Sequence, residues 1–136
     1  MSQENVEAVR RVGEVWNESG WRGVIDEGLL HPEVEYHDDP KWPDARSTYG
    51  TEALIKRSDE FLEAFGEDAS TTTEQVLDAG GDRVVIIFRF SVRGRASGIP
   101  DDYRWGFLCR VREGRVTFFQ AYLEPHQALQ AAGISE

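Results

Sequence analysis

The spacing of apolar positions changes from a helical repeat in the first half of the chain to alternation in the second half. Residues 2–17 place apolar side chains at helical intervals, and a second, shorter helix is predicted over residues 21–30. Pro32 favours an end to this helix, because the residue before a proline avoids the α region. A third helix is predicted to begin at Thr51 and to end at Gly66. The first half of the chain is therefore predicted to be mainly helical.

Strand patterns occupy the remaining segments. A short strand is predicted at residues 33–37, followed by a loop at residues 38–50 that is rich in Pro and Asp. Alternating apolar residues then predict four strands, with a turn at residues 97–101 between the second and the third. These strands cover residues 71–77, 84–95, 103–112 and 115–123. A short helix from Pro125 through Ala132 is predicted to end the chain.

Helices that precede a run of strands are typical of an α+β fold. We expect residues 1–136 to form one domain, in which three N-terminal helices pack on a strongly curved, mostly antiparallel sheet and a short C-terminal helix follows. The helices and the curved sheet together would enclose a cone that is open at one end.

The composition of the chain argues against several classes of binding partner. The chain has 25 acidic and 15 basic residues and a net charge of -10, which disfavours nucleic acid and anionic membranes. Its single Cys cannot form an internal disulfide, and the absence of a Cys/His cluster argues against a structural metal. No phosphate or dinucleotide motif is present, so we expect no cofactor. The polar N-terminus and the lack of a long apolar run predict a cytoplasmic protein.

Four segments resemble the NTF2-like superfamily, and in particular its SnoaL-like and ketosteroid-isomerase-like group. They are ENVEAVRRVGEVWN at residues 4–17, HPEVEY at 31–36, YGTEAL at 49–54 and GRVTFFQAYLE at 114–124. The resemblance covers essentially the whole chain and implies a cone-shaped domain with a pocket between helices and sheet. It also implies a homodimer formed through the outer face of the sheet. The group includes isomerases, dehydratases, cyclases and epoxide hydrolases, so the resemblance specifies a fold better than a reaction.

The candidate catalytic residues follow the first predicted strand. The isomerases of this group have their general-base Asp in a similar E-D-P context, which makes Asp39 the first candidate and Asp38 the second. A carboxylate at the mouth of an apolar cavity is a suitable general base, although an Asp-Pro pair is also a common turn former. His37 is a third candidate for acid/base chemistry. Because side chains alternate along a strand, only one of Tyr36 and His37 should face the cavity.

Aromatic residues are more numerous than a core of this size requires, and as a group they fit a flat apolar pocket. The predicted ligand-binding residues are Trp16, Trp42, Tyr49, Trp105 and Phe119. The resemblance suggests that Phe119 faces the pocket and that Phe118 belongs to the dimer face. We therefore expect an apolar or aromatic small molecule as the partner.

The sequence alone is compatible with three functions. The first is a SnoaL-like protein that performs acid/base chemistry of the isomerase, cyclase or hydrolase type on a small apolar substrate. The second is a non-catalytic dimeric module that binds a ligand or a partner. It is favoured because Val12 and Phe107 align where the isomerases have their oxyanion donors, and neither side chain can donate a hydrogen bond. The third is a protein without a pocket, whose large inward side chains fill the cone.

Overall fold

A computed structural model describes residues 2–42, 44–65, 70–93 and 100–134 of the chain. Three helices pack with a curved, unclosed sheet of six strands, which confirms the predicted α+β class. The helices are α1 (Ser2–Asp26), α2 (Thr51–Phe65) and α3 (Pro125–Ala131). The strands are β1 (Leu30–His37), β2 (Ser47–Tyr49), β3 (Ser70–Asp78), β4 (Arg83–Arg93), β5 (Pro100–Arg112) and β6 (Arg115–Tyr122). The predicted helix end at Gly66 and most of the predicted turn at residues 97–101 lie outside the described residues.

The first two predicted helices form one bent element. Gly20 has φ 69° and ψ -170°, a conformation that favours glycine, and the helix axis kinks there. The second half of α1 ends at Asp26, so the prediction of helix through Leu30 was wrong. Leu30 already pairs with Val116 of β6 and begins β1. The apolar side chain of Leu30 fits a helical stripe and a buried strand equally well, which is why spacing alone misplaced it.

The sheet has the order β2-β1-β6-β5-β4-β3. β1 and β6 run parallel, whereas each of the other neighbouring pairs is antiparallel. The short β2 lies within the segment predicted as a loop and pairs with the end of β1, with His37 opposite Ser47. Three residues are too few to show an alternating pattern, so this strand has no recognisable signal in the sequence.

Both faces of β4 are buried along its first half. Val84, Ile86 and Phe88 belong to the core between the sheet and α1. Val85 and Ile87 point to the opposite face, where they pack with Ala128 and neighbouring residues of α3. α3 approaches β5 closely, because a Cβ built on Gly106 would lie only 2.8 Å from the Cβ of Ala128. The C-terminal helix therefore covers the outer face of the sheet at this end and leaves the inner face to α1 and α2.

Candidate functional site

A cavity of about 260 Å³ lies between α1, α2 and the inner face of the sheet. Nearly half of the fifteen described residues that line it are aromatic, namely Trp16, Trp21, Tyr36, Phe61, Phe90, Trp105 and Phe107. The rings of Trp16 and Trp21 stack at 4.9 Å, and those of Phe90 and Trp105 stack at 5.2 Å with an interplanar angle of 9°. The lining is therefore rich in planar rings. The cavity volume lies near the lower limit for small-molecule sites.

The polar end of the cavity is built around Asp38, which follows β1. Its Oδ2 accepts hydrogen bonds from Arg57 Nη2 at 2.7 Å, from Arg57 Nε at 3.1 Å and from the backbone N–H of Arg46 at 3.2 Å. The side chains of Asp38 and Arg57 are 11% and 12% exposed, so the ion pair is largely shielded from solvent. Within the described part of the chain, no hydrogen bond is made to Asp38 Oδ1. This oxygen is therefore an acceptor available to a ligand.

Tyr36 also lines the cavity at this end, because strand alternation turns it inward from β1. Burial raises the pKa of its phenol, the negative charge of Asp38 raises it further, and Arg57 opposes both effects. The phenol therefore stays protonated at neutral pH and is a hydrogen-bond donor. Tyr36 and Asp38 place a donor and an acceptor at the same end of an apolar cavity.

Asp39, the first candidate for a general base, has a different environment. Its side chain is buried, and its two oxygens accept hydrogen bonds from backbone groups: Oδ1 from Lys41 N at 2.9 Å and Oδ2 from Leu123 N at 2.8 Å. It borders a small recess beside the main cavity, together with Trp42. The carboxylate ties the loop after β1 to the end of β6.

His37 points to the outer face of the sheet, as expected for the neighbour of an inward-facing Tyr36. Its Nδ1 lies 2.7 Å from Ser47 Oγ, and its Nε2 lies 3.2 Å from Glu35 Oε2. The imidazole also contacts the rings of Tyr49 and Phe118. The imidazole of His37 therefore contacts Ser47 and Glu35, whereas Asp38 lines the cavity and Asp39 borders its recess.

The five predicted ligand-binding residues divide into three groups. Trp16 and Trp105 line the main cavity, and Trp42 lines the adjoining recess while packing against Trp105. Phe119 is fully buried behind the wall, with its ring 5.3 Å from that of Trp21. Tyr49 is 61% exposed and contacts His37 on the outer face. The structure thus brings three of the five to the cavity or its recess.

Sequence reasoning missed Arg57, although a signal was present. Leu54, Arg57 and Phe61 are spaced three and four residues apart on α2, so a charged residue stands within the apolar stripe of the helix. A charge at such a position needs a buried partner, and Asp38 supplies it. Trp21 was also missed, because its helix position did not show that the bend at Gly20 turns it towards the cavity.

Neither a cluster of metal-ligating side chains nor a membrane-spanning helix occurs among the described residues. That part of the chain contains no group of three or more His, Cys, Asp or Glu side chains placed to bind a metal ion. None of its helices is both long enough and apolar enough to cross a bilayer.

Comparison with known proteins gives one family and a set of similar folds. A model of the SnoaL-like domain matches residues 9–119 of the chain. A comparison with curated protein sequences finds no match. A solved NTF2-like protein of unknown function from Mesorhizobium loti is 22% identical, with a TM-score of 0.68 and coverage of 90% of this chain and 93% of that chain.

Two other solved structures contain organic molecules. TerC, co-crystallized with polyporic acid, is 16% identical over 96% of this chain and 98% of its own, with a TM-score of 0.75. A protein with a ketosteroid isomerase-like fold from Catenulispora acidiphila, in complex with trimethylamine, is 19% identical over 95% of this chain and 94% of its own, with a TM-score of 0.68. At these identities the similarity shows the fold alone.

Proposed function

The chain belongs to the SnoaL-like domain family, as its motifs predicted, and we propose that it binds a small, flat, mostly apolar molecule and exchanges a proton with it. The observation that supports this function is the aromatic cavity that ends in Tyr36 and Asp38. Aromatic walls with a few convergent polar groups are typical of small-molecule sites. The molecule would lie against the rings and direct its polar end towards Asp38.

Asp38 and Tyr36 have complementary roles in this proposal. Asp38 Oδ1 is the proton acceptor, and the protonated phenol of Tyr36 donates a hydrogen bond to an oxygen or nitrogen of the ligand. A donor aimed at developing negative charge in a closed site contributes about 3–4 kcal/mol to the stability of a transition state. Proton removal next to a polarised group is a step of isomerase, cyclase and some hydrolase reactions, and these are the reaction types that we propose.

The proposal assigns separate roles to the two neighbouring carboxylates. Asp38 has a free oxygen at the cavity, whereas both oxygens of Asp39 accept backbone hydrogen bonds. We propose Asp38 as the catalytic residue and Asp39 as the residue that fixes the loop. His37, on the outer face, takes no part in this proton transfer.

A second candidate function is a ligand-binding module without chemistry. The observation in its favour is the ion pair with Arg57, which holds the carboxylate of Asp38 in place as an anchored acceptor. For either function we propose a homodimer through the outer face, where Tyr49 and Phe118 flank His37. Tyr49 is 61% exposed and would be covered in this interface.

The test combines ligand binding with hydrogen exchange. Flat ketones, epoxides and aromatic amines are screened by thermal shift, and a hit at about 100 times its Kd should stabilise the fold by about 2.7 kcal/mol. The hit is then incubated with protein in D2O, and deuterium incorporation at carbon is followed by mass spectrometry. We expect exchange with the wild type and loss of it with Asp38→Asn.

Asp39→Asn is the matched control, since it removes the neighbouring carboxylate. This variant should have a lower Tm without ligand but should keep the ligand-induced increase and the exchange. Binding without exchange in the wild type would favour the non-catalytic module. If no compound shifts the wild-type Tm, the binding function itself is refuted.

A further inference from the structure

The charged residues that line the cavity and its recess have a net negative charge. Among the described residues they are Asp38, Asp39 and Arg57, two carboxylates and one guanidinium. The guanidinium is also shared with a third carboxylate, because Arg57 Nη1 lies 3.4 Å from Asp44 Oδ2. The positive charge of Arg57 is therefore divided between two partners, and the negative charge of the site is not fully balanced.

Arg57 has little capacity to bind an anionic ligand. It donates two hydrogen bonds to Asp38 Oδ2, one to Asp44 Oδ2 and one to the backbone carbonyl of Asp44. These engage four of the five N–H groups of a guanidinium. A ligand carboxylate would meet one remaining N–H and the repulsion of Asp38. The site therefore discriminates against carboxylates in spite of its arginine.

Asp38 Oδ1 and the aromatic walls favour the opposite charge. A hydrogen bond between an ammonium N–H and a carboxylate is about twice as strong as one between neutral groups. Trp is the best aromatic partner for a cation, and Trp16, Trp21 and Trp105 all line the cavity. In the cavity, contacts with a carboxylate and with aromatic rings would replace the water molecules that a cation loses. These contacts lower the free-energy cost of burying its charge.

We propose that the ligand is an organic ammonium ion, with a flat apolar body against the tryptophans and its N–H directed at Asp38 Oδ1. This inference rests on the binding part of the proposed function and specifies the class of molecule. It favours the module without chemistry, because an N–H at Asp38 Oδ1 occupies the acceptor that proton removal from carbon requires. The net charge of -10 on the chain adds a long-range attraction for cations and repulsion for anions.

Three probes of one shape test the inference. They are 2-naphthylmethylamine, 2-naphthylmethanol and 2-naphthoate, which differ in the charge of the polar group, and their Kd values are measured by calorimetry at pH 7. The wild type should bind the amine at least about tenfold tighter than the alcohol, which equals about 1.4 kcal/mol, and the carboxylate most weakly. Quenching of tryptophan fluorescence by the bound amine provides an independent signal from the cavity wall.

Two Asp→Asn variants locate the origin of the preference. Asp38→Asn should abolish the preference for the amine and should improve binding of 2-naphthoate, because Arg57 loses its main partner. Asp44→Asn removes the other partner of Arg57 outside the cavity, where Asp44 is 74% exposed, and should keep the amine preference. If both variants lose the preference equally, the contact with Asp38 Oδ1 is refuted.

The outcomes separate this inference from the function on which it rests. Binding of the alcohol or the carboxylate as tightly as the amine would overturn the ammonium class and leave the binding function standing. If none of the three probes binds, both are overturned. The comparison within the wild type is sufficient even where Asp38→Asn does not fold.

Discussion

Asp39→Asn tests the structural role proposed for this carboxylate, and its cost follows from the hydrogen bonds that Asp39 accepts. The two acceptors face the backbone N–H groups of Lys41 and Leu123, at 2.9 and 2.8 Å, and the side chain is only 3% exposed. Asn retains one carbonyl oxygen, but its NH2 group must face the other N–H, so one buried donor is left without an acceptor. A hydrogen bond to a charged group contributes about 1.5–3 kcal/mol, and an unsatisfied buried donor costs about 1–3 kcal/mol.

We therefore expect Asp39→Asn to lower the free energy of unfolding by about 2–3 kcal/mol. With the unfolding entropy typical of a chain of this length, the Tm should fall by about 7–10 °C. Differential scanning calorimetry at pH 7 measures the change. Since the substitution is nearly isosteric, cavity formation adds little to this value.

The matched control is Asp59→Asn, which also removes a carboxylate that accepts two hydrogen bonds. Asp59 accepts them from Arg22 at 3.2 and 3.0 Å, but both side chains are exposed. Exposed ion pairs contribute little to stability, so this variant should leave the Tm nearly unchanged. A fall of less than about 2 °C for Asp39→Asn would refute the reasoning, because two buried hydrogen bonds at these distances require a larger loss.

Three other predictions concern buried groups. Burial raises the pKa of Tyr36 above its usual 10.0, so above that pH the folded protein keeps a proton that the unfolded chain releases. Urea titrations should therefore show that the free energy of unfolding falls as pH rises above 10.0. The fall should be less steep in Tyr36→Phe. Gly106→Ala places a methyl group 2.8 Å from Ala128 Cβ and should cost about 1–3 kcal/mol in urea unfolding. Burial also raises the pKa of the Cys109 thiol. A thiol reagent at pH 8 should therefore label the protein only after unfolding, and rapid labelling of the folded protein would contradict this.

The sequence predicted the strands better than the ends of the helices. In β4 the alternation placed Val84, Ile86 and Phe88 on one face, and these residues do form the core with α1. The burial of Val85 and Ile87 on the other face depends on α3, which lies some forty residues further along the chain and covers that part of the sheet. Alternation defines two faces of a strand, but only tertiary structure decides whether both are covered.

The three catalytic candidates named from the sequence, residues 37–39, have three different environments in the structure. Asp38 lines the cavity and Asp39 borders its recess, whereas His37, the last residue of the strand, lies on the outer face. The sequence could not indicate which Asp faces inward, because the answer depends on a hydrogen bond from Leu123 to Asp39, 84 residues apart in sequence. Contacts of this kind leave no local pattern. Arg57 had a local signal, but only the structure identifies its partner.

The parallel pairing of β1 with β6 explains why the polar end of the cavity forms where it does. Because these strands run in the same direction, His37 at the end of β1 lies opposite Gln120 near the end of β6. Gln120 Nε2 donates to the backbone carbonyl of Asp38, and Leu123 N donates to Asp39. An antiparallel partner would place the start of β6 at this position, and neither donor would be present. The same strand pairing thus holds Asp38 at the cavity and Asp39 on the backbone N–H of Leu123. The chemistry proposed for Asp38 therefore depends on the topology of the sheet as much as on its neighbours in sequence.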